Sequence, residues 1–248
     1  MNAVGKSLFL AFASLLHPRM LWLMIWPMLV SLLAWGAAAF LLWGATAMWI
    51  AAHLKRWIES GVLFFRFETG DAMLVAAHVL LALLFVPLVY FTALLILSVF
   101  GMQAMVEHIA SRRFPQLARR QGGGVTGSVV NSVLALGGLA ALGVISIPLW
   151  LIPPLWPAIP VLIMGWVNQR VLRYDALAEH ATAHEMRTIF SSRRGALYLL
   201  GALLALLAYV PLVGFLAPVL FALAFIHFLL GELDALRQAP IEGEAVRL

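Results

Sequence analysis

Residues 147–160 read Ile-Pro-Leu-Trp-Leu-Ile-Pro-Pro-Leu-Trp-Pro-Ala-Ile-Pro. Five prolines in thirteen positions interrupt an α-helix, because proline lacks the N–H that an interior helical residue donates. The stretch lies in the middle of residues 121–169, a run of 49 residues without Asp, Glu, Lys or Arg. That run is too long for one crossing of a bilayer, which takes about 20 apolar residues. The run therefore predicts a helical hairpin that turns at its prolines.

Three further charge-free runs cover residues 20–54, 72–106 and 195–231. Across the 248 residues, 64% are hydrophobic and only 11% are charged, whereas a soluble domain carries about 25% charged residues. This composition excludes a soluble globule, a disordered chain and a nucleic-acid-binding globule, although the net charge is +5. The absence of cysteine excludes a disulfide scaffold. The sequence predicts an all-α integral membrane protein.

The runs 20–54 and 72–106 each predict one long transmembrane helix, with kinks expected at Pro27 and Pro87. The run 195–231 contains Pro211 and Pro218, which leave apolar arms of about 13 to 16 residues, too short to span comfortably. It predicts a second hairpin that enters and returns without a full crossing, or one that sits in a locally thinned bilayer. Two transmembrane helices and two proline-broken, partly inserted hairpins thus form a single membrane domain, residues 1–248.

The two ends of the chain are predicted to lie at the cytoplasmic surface. Residues 1–17 place Leu8, Phe9 and Phe12 on one helical stripe, which is typical of an interfacial helix, although a cleavable signal peptide is an alternative. If both hairpins return to their starting side, 13 of the 16 Lys and Arg face that side. Because basic loops stay inside, the loops 107–120 and 170–194 and the tail 232–248 are predicted to be cytoplasmic.

The polar residues point to anions more than to catalysis. No carboxylate lies inside the four runs, so a proton relay within the membrane is not expected. Arginines stand at the entrances of two runs, and broken helices expose N-terminal N–H groups that favour anions, although topological anchoring also accounts for such arginines. His180 and His184 share a helical spacing, but no third ligand is evident. The sequence predicts no enzyme, no cofactor and no metal site.

Several motifs resemble one membrane family. They are Tyr174-Asp175, Glu185-Met186-Arg187, Arg193-Arg194, Gly201, Val210-Pro211-Leu212-Val213-Gly214-Phe215 and Ala217-Pro218-Val219. Together they resemble the CysZ sulfate permeases and the related etoposide-induced-protein-type membrane domain. The resemblance implies a bacterial inner-membrane protein that forms homo-oligomers in lipid and takes up sulfate, or a related oxyanion, for cysteine biosynthesis. It does not imply a nucleic-acid partner.

Two departures from the family's motifs separate two hypotheses. The family has a Gly-Leu/Ile-Arg-Arg stretch for sulfate after a proline at the first span, whereas here Pro18 precedes Arg19-Met20-Leu21-Trp22. Tyr174-Asp175-Ala176 likewise replaces the family's Asp-Tyr-Pro. The first hypothesis is an oxyanion permease. The side chains expected to attract the anion are Arg19, Arg187, Arg193 and Arg194. The second hypothesis is a non-transporting membrane scaffold of the same fold.

Overall fold

A computed structural model describes residues 2–59 and 70–238. Within these ranges the chain forms helices and no strands, which confirms the predicted all-α class. The α-helices are α1 (Asn2–Leu15), α2 (Pro18–Glu59), α3 (Gly70–Arg113), α4 (Val125–Ser146), α5 (Ala158–Leu177), α6 (Ala183–Ser192), α7 (Arg194–Leu207) and α8 (Pro211–Gln238). Short 3₁₀ helices cover Ile147–Leu151 and Pro153–Leu155.

The helices divide into two compact units. One comprises the chain up to Leu21 together with the chain from Phe100 onward, and the other comprises Trp22–Val99. Within the second unit the indole N–H of Trp35 on α2 donates to the hydroxyl of Thr92 on α3 at 2.9 Å. Both helices continue through the prolines at which kinks are predicted.

The proline-rich stretch ends α4 and starts α5 after two 3₁₀ turns. The two helices then run antiparallel. Near the open end of this hairpin Ser128 donates to the Asp175 carboxylate at 2.6 Å. Towards its turn, a side chain at Gly138 would collide with the ring of Trp166. These small residues let α4 and α5 approach closely, as is common between membrane helices.

The second turn is shorter than the sequence predicts. The break lies between Leu207 and Pro211, and α8 continues through Pro218 to Gln238. Pro211 is the first residue of α8, where its missing N–H costs nothing because that position has no helical acceptor. The arm after this turn is therefore a helix of 28 residues rather than a short stub beyond Pro218.

Helix α8 forms the centre of the first unit, where it packs against α1, α5 and α7. Its fully buried side chains include Leu220, Leu223, Ile226, Leu229, Leu230 and Leu233. Helices α5 and α7 cross at Gly165 and Gly201, where a Cβ on Gly201 would lie 2.4 Å from the Gly165 carbonyl oxygen. Only glycine permits this crossing distance.

In the described part of the chain, four helical segments are long and apolar enough to cross a membrane: Pro18–Trp57, Asp71–Ser98, Thr126–Leu151 and Val213–Gln238. A fifth is counted only if α6 and α7, which meet at a bend of 76°, form one broken span. Because α6 carries Glu185 and Arg187 within ten residues, we place it outside the hydrocarbon. The depth to which the hairpins insert stays a prediction.

Candidate functional site

Arg19 belongs to a group of cationic and imidazole side chains where the first long helix begins. We call His17, Arg19, His108 and Arg112 the first-span cluster. An Arg112 guanidinium nitrogen lies 2.9 Å from His17 Nε2, and the Arg19 backbone N–H donates to His17 Nδ1 at 3.2 Å. The rings of His17 and His108 are 4.9 Å apart between centroids. The cluster therefore joins the junction of α1 and α2 to the end of α3.

The electrostatics of this cluster favour an anion. Burial lowers the pKa of His108, and the nearby Arg112, His17 and Arg19 lower it further because each disfavours a second positive charge. Arg19 itself is exposed, so a ligand has access to its guanidinium. A guanidinium presents a planar set of donors that matches the oxygens of an oxyanion.

A second group of arginines lies where α5, α6 and α7 meet. We call Arg170, Arg173 and Arg194 the hairpin cluster. The Arg173 guanidinium stacks 4.7 Å from the centroid of the Phe190 ring and donates to Gln169 Oε1 at 3.0 Å. Burial, followed by repulsion from Arg170 and Arg194, lowers the pKa of Arg173 to about 10. Arg173 is still cationic at neutral pH, and both charged groups that perturb it are cations.

Arg170 contributes an unsatisfied donor to the hairpin cluster. Its Nε is buried and has no hydrogen-bond partner among the described residues. Its backbone carbonyl is occupied, since the Asn131 amide donates to it at 2.8 Å. Buried donors without acceptors are rare in folded proteins, and each one calls for an explanation such as a missing ligand. A bound oxyanion would accept this hydrogen bond.

The structure separates the four arginines that the sequence predicts as anion ligands. Arg194 lies in the hairpin cluster, and Arg187 is exposed on α6, one turn before Phe190. Arg193 instead donates from Nε to Glu232 at 2.8 Å, so its charge is compensated. Arg19 belongs to the first-span cluster. The anion-binding role of these residues stays a prediction.

Sequence reasoning missed Arg170, Arg173 and Arg112. The first two follow the third charge-free run at a spacing of three, which places them on one side of α5. The sequence treats them only as topological charge. Only the packed helices reveal that neither has a carboxylate partner among the described residues. No group of three His, Asp or Glu among the described residues has the geometry of a metal site.

Glu185 fixes the orientation of α6 beside the hairpin cluster. It caps its own helix, accepting the Thr182 backbone N–H at 2.7 Å. It also accepts from Arg237 of α8, with Nε to Oε1 at 2.9 Å. The hydrogen bond from Arg237 has the largest effect on the pKa of Glu185. Together these hydrogen bonds lower that pKa to about 2, although burial acts in the opposite direction. Glu185 therefore positions α6 rather than neutralising the hairpin cluster.

Comparisons with known proteins agree with this architecture. The family model described as sulfate transporter CysZ/etoposide-induced protein 2.4 matches residues 7–218, which is most of the chain. A search of curated proteins and a search of solved structures found no match. The family match spans α1 to α7 and the start of α8, and it includes both arginine clusters. The chain therefore belongs to the sulfate transporter CysZ/etoposide-induced protein 2.4 family.

Proposed function

We propose that the protein is an inner-membrane permease or channel for sulfate or a related oxyanion. The observation that carries the proposal is the hairpin cluster. In it the charged groups that perturb the half-buried Arg173 are both cations, and the neighbouring Arg170 has a buried donor without a partner among the described residues. Such an arrangement is costly without an anion, because like charges repel more strongly where water is excluded. Membership of a sulfate-transporter family supports the same reading.

The two clusters have complementary parts in this mechanism. The first-span cluster presents an exposed guanidinium, Arg19, that attracts the anion at the membrane surface. The hairpin cluster then exchanges the water around the anion for guanidinium donors. Because no carboxylate lies inside the charge-free runs, the passage is facilitated and gated rather than proton-driven. The proposal assigns no catalytic step to the protein.

The proposal includes a cellular setting. Both termini face the cytoplasm, the partners are membrane lipid and further copies of the chain, and the imported anion supplies sulfate assimilation and cysteine biosynthesis. Exposed apolar side chains on α2 and α3, such as Phe40 and Leu83, support contact with lipid or a second copy.

Uptake of radiolabelled sulfate into proteoliposomes tests the proposal. We expect Arg173→Gln to lower the initial rate by roughly tenfold, because hydrogen bonds to a charged group contribute about 1.5 to 3 kcal/mol. Arg173→Lys keeps the charge without the planar donors, so its rate should be intermediate. Arg119→Gln is the matched control, since Arg119 is exposed and pairs with Glu107. Wild-type uptake no faster than that of empty liposomes would end the transport proposal.

A second candidate function is a non-transporting membrane scaffold. The segment Arg19-Met20-Leu21-Trp22 favours it, because the glycine and second arginine of the family's sulfate stretch are absent. This candidate predicts a defined partner that co-purifies, and failure to restore growth of a strain deficient in sulfate uptake. Restored growth that depends on Arg173 would reject it.

A further inference from the structure

A cleft of about 490 Å³ lies between α1, the end of α3 and α8. It is separate from both arginine clusters. Its lining combines two kinds of side chain. The charged residues are Lys6, Arg113, Arg193, Glu232 and Asp234, and the apolar residues include Leu10, Phe114 and Phe228. A cleft with both kinds fits an amphiphile better than a small inorganic ion, which would leave the apolar walls without a partner.

The carboxylates of the cleft are already engaged. Glu232 accepts from Arg193 at 2.8 Å, and Asp234 accepts from Gln116 at 2.9 Å and from Gln238 at 2.8 Å. Within the described part of the chain, Lys6 and Arg113 have no carboxylate partner. Arg193 and Glu232 compensate each other, whereas Asp234 keeps its negative charge because its donors are neutral amides. The cleft therefore has a net charge of +1, which one phosphate headgroup can compensate.

One side chain of the cleft has a buried atom without a partner. His227 lines the cleft and is 4% exposed. Its Nε2 lies 2.8 Å from the Ser14 hydroxyl, but its Nδ1 has no hydrogen-bond partner in the described structure. A neutral imidazole that accepts from Ser14 at Nε2 carries its proton on Nδ1. In that tautomer the buried N–H has no acceptor among the described residues.

The outer face of α1 indicates which amphiphile fits. Phe9 is 71% exposed and Leu16 is 75% exposed, although α1 packs through Val4, Ala11 and Leu15. A short helix with an exposed apolar stripe and a basic residue near its start is typical of the membrane interface. Acyl chains beside this stripe would bring a lipid phosphate to the level of Lys6.

We propose that the cleft binds the phosphate headgroup of an anionic phospholipid, with Lys6 and Arg113 as the cationic ligands. Leu10 and the apolar walls contact the glycerol and the upper acyl chains. The lipid holds α1 against α8 at the membrane surface. This inference does not depend on sulfate transport, because Lys6 and Arg113 belong to neither arginine cluster. Arg193, which also lines the cleft, is compensated by Glu232.

Native mass spectrometry of the purified full chain tests the proposal. The protein is released from mixed micelles that contain equal amounts of phosphatidylglycerol and phosphatidylcholine, and the retained lipid is counted. Each basic residue near an anionic lipid contributes about fivefold to binding, so Lys6→Gln/Arg113→Gln should retain phosphatidylglycerol about 25-fold more weakly. Lys6→Arg/Arg113→Lys, which keeps both charges, should retain it. Arg56→Gln, an exposed arginine on α2, is the control and should match the wild type.

Three results would overturn the proposal. They are equal retention of phosphatidylglycerol by the charge-neutral double variant, equal retention of phosphatidylcholine by the wild type, and displacement of lipid by low-millimolar inorganic phosphate, which would assign the cleft to a free anion. If the double variant does not fold, Lys6→Gln alone provides the same decision, because Lys6 is exposed on α1. The single variant should lose about fivefold, and no loss would reject the proposal.

Discussion

Helix α8 and the pair α2 and α3 are all long and apolar enough to span a bilayer, yet they present their apolar surface to different surroundings. In the most apolar part of α8, 67% of the residues are buried inside the protein, whereas the corresponding parts of α2 and α3 are 11% buried. Hydrophobicity along a helix therefore does not distinguish a protein core from a lipid-facing surface. A helix in a bilayer makes its backbone hydrogen bonds internally, whether its side chains contact protein or lipid.

This difference in burial also changes how much a side chain contributes to the stability of the protein. Leu223 of α8 is fully buried, whereas Leu83 of α3 is 67% exposed and Phe40 of α2 is 90% exposed. The exposed residues need an apolar solvent but no particular neighbour. The buried residues need a fixed packing partner. Replacing a buried apolar side chain of α8 by alanine should therefore lower the stability of the protein strongly. The same replacement at an exposed position of α2 or α3 should have little effect.

The largest effect is expected at the ion pair that joins α6 to α8. Glu185→Ala leaves Arg237, whose side chain is 17% exposed, without its carboxylate. We expect a loss of about 3 to 5 kcal/mol in the free energy of unfolding, because the part-buried Arg237 loses its counter-charge and both of its hydrogen bonds to the carboxylate. Glu107→Ala is the control, because Glu107 and Arg119 are each about half exposed, and it should cost less than about 1 kcal/mol. Equal losses, measured by thermal unfolding in detergent, would contradict this account.

The next largest effect separates the two regions directly. Leu223→Ala creates a cavity in the core around α8 and should cost about 2 to 5 kcal/mol. Leu83→Ala removes the same atoms from an exposed position of α3 and should change stability by less than about 0.5 kcal/mol. If the two variants unfold at the same temperature, the proposed difference between core and lipid-facing helices is incorrect.

Two glycines provide a third comparison. Gly201→Ala forces α5 and α7 apart, because the new Cβ would meet the Gly165 carbonyl, and overpacking of this kind costs about 1 to 3 kcal/mol. Gly36→Ala on α2 meets nothing within 4 Å, so it should be neutral or stabilise by up to about 1 kcal/mol. The unfolding temperatures of both variants, measured in detergent, test the comparison. Gly201→Ala should lower the unfolding temperature, and a decrease for Gly36→Ala as well would contradict the prediction.

The smallest effect concerns pH. The pKa of Glu185 is about 2 in the folded protein against an ordinary value of 4.5. Its ionised form is therefore favoured by folding, and its contribution to stability is full at neutral pH and declines as the pH falls through 4.5 towards 2. Between pH 5 and pH 3 we expect a loss of about 2 kcal/mol from this group. The difference in unfolding free energy between the wild type and Glu185→Gln should shrink by that amount. A constant difference would argue against the depressed pKa.

Local chemistry explains what could be predicted about the fold and what could not. Residues 147–160 indicate a turn because proline breaks a helix wherever it cannot be accommodated at the first position. Pro218 has the same chemistry but lies inside α8, so the residue type alone does not determine where a helix ends. Of the hairpin cluster, the sequence indicates Arg194 but not Arg170 or Arg173, and the anion-binding role of all three stays a prediction.

The sequence alone determined the helical membrane class, because charge-free runs of 35 residues or more have no stable place in water. It also indicated the break between α4 and α5, because five prolines fall within residues 148–160. Only the tertiary structure decided which helix forms the core and which arginines lack a counter-charge. The pairs that neutralise Arg193 and Arg237 join residues 39 and 52 positions apart. Such pairing depends on how helices pack in space, and no local pattern of residues records it.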